Sequence, residues 1–425
     1  MKSRPPRSAT NREAALWCVR QLCAQGHQAL FAGGCVRDLL LKHEPKDHDV
    51  ATDARPDVVV QLFHRTRSVG KLFGVILVGV RRHWIEVATF RSDGSYGDGR
   101  RPDTVRFTSA AEDARRRDFT INGMFYDPEQ ETVLDLVGGQ EDLKRRVIRA
   151  IGDPAARFAE DHLRLLRAIR FAARLNFDVE AKTWTAIRDA APLLRRISAE
   201  RVHDELSRML TDAGRQRAWE LLREAGLVPH LWDGADRTLA RTPSVAELLG
   251  RLPDCVSFEL VLAVLALPSP DEARHIGRQL RTSNDHADAA VWLVQHHADA
   301  DEPARLSLAE LKRLMAGPAF DDLLQLLRAR LDASGKDDSA WRKLRDRAAA
   351  VAPEQVTPPP LVTGSDLIQR ALGPGPAFGG LLDAVYDAQL NEEIQDRPAA
   401  LAMLDRLLQQ RRSSPIDDPA GQARQ

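Results

Sequence analysis

The periodicity of the chain changes at Asp153-Pro154 and stays changed for most of the remaining length. Asp can cap a helix N-terminus, and Pro, with no N–H and a φ already near the helical value, suits the first turn. Beyond it, Arg157 to Leu175, Trp184 to Leu194, Ser198 to Leu210 and Gln216 to Ala225 each carry apolar residues three and four apart, the spacing of amphipathic helices. Before it the pattern alternates. Glu13 to Gln25 reads as a helix with Ala15, Leu16, Val19, Leu22 and Cys23 on one face and Gly26 as its stop. ALFAGG reads as a buried strand running into a Gly-Gly turn, and Val36 to Leu41 begin a second helix. HDVAT, GVILVGV, HWIEVATF and TVRFT are further strands, with a helical stretch from Asp57 to Phe63. The expected fold class is α+β: a head with a small mixed β-sheet and helices, then an all-helical neck, body and tail.

The expected domains are a head over residues 1–151, a neck over 152–212, a body over 213–350 and a tail over 361–411, with residues 412–425 disordered. The proline-rich stretch Ala352 to Pro360 links body to tail. A length of 425 residues suits several packed units. Lys+Arg and Asp+Glu number 61 each, so a global basic excess gives no argument for nucleic acid, and an RNA-binding surface has to be local. No apolar run approaches membrane-spanning length, and the basic start lacks the apolar stretch of a secretory signal, so a soluble, cytoplasmic protein is expected. Cys18, Cys23, Cys35 and Cys255 form no CxxC pair; they are expected to be reduced thiols, the first two spaced like helix core residues rather than metal ligands. Nothing in the sequence points to a protein partner or an internal repeat.

The chemistry concentrates in Phe31 to Val50, FAGGCVRDLLLKHEPKDHDV. Strand alternation turns Asp47 and Asp49 to one face, where two like charges need a cation, and a pair of Mg²⁺ ions would satisfy both while bridging a nucleotide's phosphates and an attacking hydroxyl. Gly33 and Gly34 allow the backbone to approach a triphosphate, the N–H groups of the following helix would face its charge, and Arg37 lies one turn in. An isolated D-x-D reads as a solvated strand edge; the G-G-x-x-R-D upstream reverses that balance. A third acid is expected on a neighbouring strand. Glu86 of HWIEVATFR fits, on the face of Trp84 and Ala88, although an edge-strand pair with Arg91 is the alternative. Arg167, Arg170 and Arg174 make a positive stripe suited to an RNA backbone or a triphosphate, unless acids such as Glu160 neutralise part of it.

Several motifs together resemble the nucleotidyltransferase superfamily of DNA polymerase β, and within it the bacterial class II tRNA nucleotidyltransferase and poly(A) polymerase family. AGGCVRD and DHDVAT resemble its first motif, RRPDTVRF and EDARRRDFTIN the next conserved region, and FAEDHLRLLRAIRFAARLNF and RRISAERVHDELSRML the neck motifs, in the family's order from Phe31 to Leu210. The resemblance implies that Arg117 contacts the nucleotide's phosphates and Asp118 the ribose 2′-hydroxyl, with Asn122 supporting sugar or phosphate. It implies that Asp161 and Arg164 act as a protein template, Arg donating to N3 of cytosine or N1 of adenine and the carboxylate accepting from the exocyclic amine; a plain ion pair between them is the alternative. Glu200 and Arg201 match a pair that braces the templating helix.

The implied reaction is template-independent transfer from CTP and ATP to a tRNA 3′ end. The same motifs serve enzymes that add CCA, only C or only A, and poly(A) polymerases. The polar loop RSDGSYGDGRRPDTVRF and the tail LVTGSDLIQRALGPGPAFGGLLDAVYDAQL resemble those of CCA-adding members, while GMFYD after RRDFTIN departs from their commonest form towards the poly(A) polymerases. A non-catalytic RNA-binding protein is the reading from another class, opposed by the intact Asp47, Asp49, Asp118, Asp161 and Arg164. His296 and His297 read as a polar helix end, so no phosphatase activity is expected.

Overall fold

The computed structural model describes residues 10–70, 73–94, 104–239, 244–370 and 376–413. The chain divides into two units, one of residues Met1–Ala246 with Ile276–Thr282, the other of Glu247–His275 with Ser283–Gln425.

The first unit begins with α1 (Asn11–Cys23), closed at its start by a reciprocal capping box between Thr10 and Glu13. It buries Ala14, Ala15, Cys18, Val19 and Leu22, and the chain leaves it through Gly26 at φ +82. Cys23 is exposed, so only Cys18 of that pair is a core residue. Seven strands follow in one sheet: β1 (Ala29–Ala32), β2 (Asp49–Thr52), β3 (Thr66–Gly70), β4 (Val75–Val80), β5 (His83–Thr89), and, after the separate hairpin β6 (Arg91–Asp93) and β7 (Val105–Phe107), β8 (Phe125–Asp127) and β9 (Thr132–Leu134). Their order is β3-β4-β5-β2-β1-β8-β9. Only β2 and β5 pair in parallel, with Val50 opposite Val87; the others are antiparallel.

Helices α2 (Gly34–Leu40), α3 (Pro56–Leu62), α4 (Ala110–Arg116) and α5 (Gly139–Arg145) complete the sheet layer. Alternation in β4 and β5 buries Ile76, Val78, Val80, Ile85 and Val87 towards the core, leaving Leu77, Gly79, Trp84, Glu86 and Ala88 on the open face. Near β1 and β2 both faces are covered, because Leu30, Ala32 and Ala51 pack with Phe90, Phe125 and two alanines of α4.

The expected helix from Arg157 to Leu175 is two helices, α6 (Pro154–Glu160) and α7 (Arg164–Leu175). Asp161 leaves helical geometry at φ −140, and its Oδ1 accepts the Leu163 N–H at 3.1 Å, so the side chain restarts the helix. The stretch from Trp184 to Leu194 likewise divides into α8 (Ala181–Asp189) and a 3₁₀ turn over Ala191–Arg196, where Pro192 cannot continue an α-helical ladder. Helix α7 packs against α9 (Ala199–Leu210) and α10 (Arg215–Glu224). The two-residue strands β10 (Val147–Ile148) and β11 (Asp178–Val179) pair in parallel beside them.

The second unit is helical. Helices Phe258–Ala266, Asn284–His296 and Phe320–Ala333 pack on one another, and Val362, Leu367, Val385, Ala388, Ala400 and Leu404 form a further core among its last helices. Pro353–Val356 is a short helix within the proline-rich stretch. The last helix runs Arg397–Ser413, so residues 412 and 413 are helical rather than disordered. Residues 414–425, 95–103 of the polar loop and most of the Gly373 to Pro376 cluster lie outside the described residues. Among the described residues, no helix is long and apolar enough to cross a membrane.

Candidate active site

Strands β1, β2 and β5 border a cleft of about 480 Å³, walled opposite by α7 and by the segment that follows α4. Its lining includes Gly33, Gly34, Arg37, Asp49, Glu86, Arg117, Asp118, Asn122, Asp161, Arg164 and Arg167. Eleven of the thirteen expected site residues therefore meet at one cavity.

Asp47 and Arg170 are not on that lining. Strand β2 starts at Asp49, so Asp47 lies in the preceding loop and strand alternation does not set its direction. Both aspartates are nevertheless exposed, while His48 between them is buried, its backbone N–H donating to Asn11 Oδ1 at 2.8 Å. Arg170 points instead at the buried Glu205, Nε to Oε2 2.7 Å.

Asp49 precedes the Val50–Val87 pair and Glu86 precedes its partner, so the two acids sit side by side on the parallel strands. Among the described residues neither has an ion-pair partner. Although Asp49 keeps solvent access at the mouth of the cleft, the protein packed around its carboxyl displaces enough water to push it up to about 6, with Glu86 and Asp47 adding repulsion and Arg117 opposing. Glu86 is also raised by withdrawal from solvent, against the pull of Arg117 and Arg91. The donors are hard oxygens under mutual repulsion, the chemistry that a divalent cation such as Mg²⁺ relieves. No three His, Cys, Asp or Glu side chains among the described residues are gathered tightly enough to form a closed metal cage.

Gly33 turns the chain from β1 into α2 at φ +74, where L side chains are strained, and a Cβ there would meet Arg117 Nη1 at 3.1 Å. Arg37 is buried and already committed: Nη1 donates to Asn122 Oδ1 at 2.7 Å, while Nε and Nη2 donate to Asp38 at 2.8 and 2.7 Å. It therefore fixes Asn122 rather than offering a free cation to the cleft.

Asp118 is buried and accepts four hydrogen bonds. Oδ1 takes Phe119 N–H at 2.8 Å and Asn122 Nδ2 at 3.1 Å; Oδ2 takes Arg167 Nε and Nη2 at 2.9 and 2.6 Å. Burial alone would raise this carboxyl, but Arg167, Asn122 and the Phe119 N–H hold it down at about 2. Arg117 stands next to it, held by Asp113 at 3.0 and 3.1 Å.

Asp161 and Arg164 do not pair with each other. Arg201 Nη2 donates to both Asp161 oxygens at 3.0 Å, whereas Arg164 Nη1 meets Glu160 at 2.7 Å and its other bonds go to the Arg157 and Arg116 carbonyls. Each is anchored from behind with an edge on the cleft. Arg201 thus braces Asp161, while Glu200 turns away to Arg281 at 2.5 Å.

Sequence reasoning missed Asp113, Arg116, Glu205 and Phe171. Asp113 is 1% exposed and gathers Arg116, Arg117 and the Arg91 N–H. The available signal was its position three and four residues before the arginines of EDARRRDF. Phe171 lies under the guanidinium groups of Arg37, Arg167 and Arg170, at 5.2, 5.3 and 4.6 Å from its centroid.

Residues 29–149 match the poly A polymerase head domain family, and residues 176–238 match the family described as the probable RNA and SrmB-binding site of polymerase A. A CCA-adding enzyme of Geobacillus thermodenitrificans is 37% identical over 393 residues, covering 90% of this chain and 94% of that protein. One from Levilactobacillus brevis is 35% identical, covering 89% and 93%. The crystal structure of the Bacillus stearothermophilus CCA-adding enzyme in complex with CTP superposes with a TM-score of 0.80 at 31% identity, covering 95% of this chain and 99% of that one.

Proposed function

Because the chain belongs to the CCA-adding enzyme family, a nucleotidyltransferase family acting on the 3′ end of tRNA with CTP and ATP, we propose that the cleft between β2, β5 and α7 is its active site. The observation that carries this reading is the adjacent Asp49 and Glu86, without an ion-pair partner among the described residues, facing a cavity whose other wall is arginine-rich.

Asp49, with Asp47 and Glu86, would hold Mg²⁺, two ions in all, which when bound offset phosphate charge and ease ionisation of the RNA 3′-hydroxyl. The Gly33 turn leaves room for the triphosphate, and Arg117 faces its charge. Asp118 takes the ribose hydroxyl; since its oxygens are already engaged, the hydroxyl shares the carboxylate with Arg167, which keeps it ionised. Asn122, held by Arg37, sets the other side of that carboxylate.

Asp161 and Arg164 read the base. Cytosine and adenine both present an acceptor ring nitrogen beside an exocyclic amine, whereas uracil and guanine present an N–H beside a carbonyl and are refused. The anchoring of Asp161 by Arg201 and of Arg164 by Glu160 supports a template whose geometry exists before the base arrives. Glu205, holding Arg170 and standing 3.9 Å from Arg167, assigns Arg170 to bracing rather than to direct phosphate contact. The four cysteines are free, which supports the cytoplasmic location proposed for it.

The test incubates the protein with tRNA lacking its terminal CCA, with CTP and ATP singly and together, and sequences the 3′ ends. The expected products are CC with CTP alone and CCA with both, abolished by chelation of Mg²⁺ and by Asp49→Ala with tRNA binding retained. Oligo(A) with ATP alone, or an active Asp49→Ala protein, refutes the reading.

A further inference from the structure

On the open face of the head sheet, Trp84 lies two residues from Glu86 on β5, about 7 Å away along the strand. The guanidinium groups of Arg65 and Arg67 stack on its ring, 4.5 and 4.2 Å from the centroid. Arg65 is further fixed by donating from Nη1 to the Arg81 carbonyl at 2.7 Å. The platform depends on one glycine: Gly79 pairs in register with Trp84, and a Cβ there would lie 2.6 Å from Arg65 Cδ and 2.8 Å from its Cγ. The missing side chain is the space through which Arg65 crosses β4 to reach the indole.

Arg65 and Arg67 are exposed and, among the described residues, make no ion pair. Arg82, in the turn from β4 to β5, is an exposed cation at the edge of the same hairpin. The guanidinium groups of Arg65 and Arg67 on a partly exposed indole offer stacking planes and phosphate partners together. That combination recognises unpaired nucleotides without regard to sequence. A short peptide or an acidic protein surface would engage the charge but leave the stacked planes unused.

We infer that Trp84, Arg65 and Arg67 form a stacking platform for the unpaired RNA nucleotides just behind the reacting 3′ end. This rests on the active-site reading above, since Glu86 fixes where the reacting end lies. At about 3.4 Å per stacked nucleotide, 7 Å along β5 corresponds to about two nucleotides. The platform holds the strand while the terminal residue changes with each addition, so it contributes to RNA binding rather than to nucleotide choice.

The experiment measures steady-state addition of the final A by the wild type, Trp84→Ala, Trp84→Phe and Gly79→Ala proteins on two substrates, tRNA ending in CC and the same tRNA with an abasic penultimate residue. Loss of one base stack corresponds to about tenfold in KM for tRNA. Trp84→Ala is expected to show that rise with KM for ATP unchanged; Trp84→Phe should recover most of it, and Gly79→Ala should show a smaller rise. The abasic substrate should weaken the wild type about tenfold but leave Trp84→Ala nearly unaffected, a coupling that general unfolding would not produce. Equal sensitivity of both proteins to the abasic residue, or an unchanged KM for tRNA in Trp84→Ala, overturns the platform while leaving CCA addition intact. A wild type that incorporates nothing overturns the active-site reading instead.

Discussion

Replacing Asp113 by alanine tests whether the cleft's arginines are positioned from behind. The carboxylate is 1% exposed and accepts from Arg116 Nε at 2.8 Å, Arg117 Nε and Nη2 at 3.1 and 3.0 Å, and the Arg91 backbone N–H at 3.2 Å. Burial raises its proton affinity, but Arg117 and Arg116 outweigh that and hold it below the usual carboxylate range. Removing one partner of a buried ion pair costs about 3–5 kcal/mol. Here the orphaned guanidinium groups border the cleft, with side chains 20% and 18% exposed, so water recovers part of the loss and about 3 kcal/mol is the expected total. If half of that appears as misplacement of Arg117, kcat/KM for CTP falls about tenfold, the remainder lowering stability. The assay pairs single-nucleotide addition kinetics with urea unfolding. Asp113→Asn, which keeps one acceptor oxygen, should fall between wild type and alanine in both. A protein that loses the full stability with unchanged kcat/KM for both triphosphates would show that Asp113 only supports the fold.

The alternation of apolar residues in GVILVGV and HWIEVATF was enough to place β4 and β5 and to put Glu86 on one face with Trp84 and Ala88, because a period of two fixes strand phase; that this face is the open one is a finding of the structure. The Gly-Gly turn was equally legible, since the left-handed φ at Gly33 needs glycine. Strands β3, β6, β8 and β9 were not found in sequence: three to five residues each, they carry too few turns of alternation to stand out, and pairing supplies what propensity lacks. The break at Asp161 was hidden for a related reason. EDHLRLL keeps helical apolar spacing across it, and only the side-chain bond to the Leu163 N–H interrupts the ladder. Spacing along a helix suggested Asp161 with Arg164, yet the partners chosen are Arg201 and Glu160, one of them forty residues away in sequence. Glu160 lies at helical spacing from Arg164, but the pairing of Asp161 with Arg201 is made by tertiary packing, which leaves no local trace.

Three further outcomes follow from the same contacts. Gly33→Ala combines a strained φ of +74 with a Cβ 3.1 Å from Arg117 Nη1, and is expected to cost about 1 kcal/mol of stability in urea titrations and to raise KM for both CTP and ATP; an unchanged KM would remove the triphosphate from this turn. Arg201→Ala frees Asp161 from two 3.0 Å bonds, so misincorporation of UTP and GTP should rise about tenfold with little change in triphosphate binding, as read by sequencing the products of mixed-nucleotide reactions. Unaltered fidelity would leave Asp161 outside base choice. Asp118 provides the pH test. Its folded value of about 2 lies below the ordinary aspartate value of about 3.9, so the unfolded chain binds the proton more readily and the stabilisation is present above pH ~4. The shift is worth about 2–3 kcal/mol at neutral pH, falls to about half by pH 3 and vanishes below pH ~2. Unfolding of Asp118→Asn compared with wild type should show that difference shrinking as the solution is acidified between pH 5 and pH 3. A gap that stays constant over the range would mean that Arg167 is not what keeps this carboxylate charged, and the shared-carboxylate reading of ribose recognition would lose its basis.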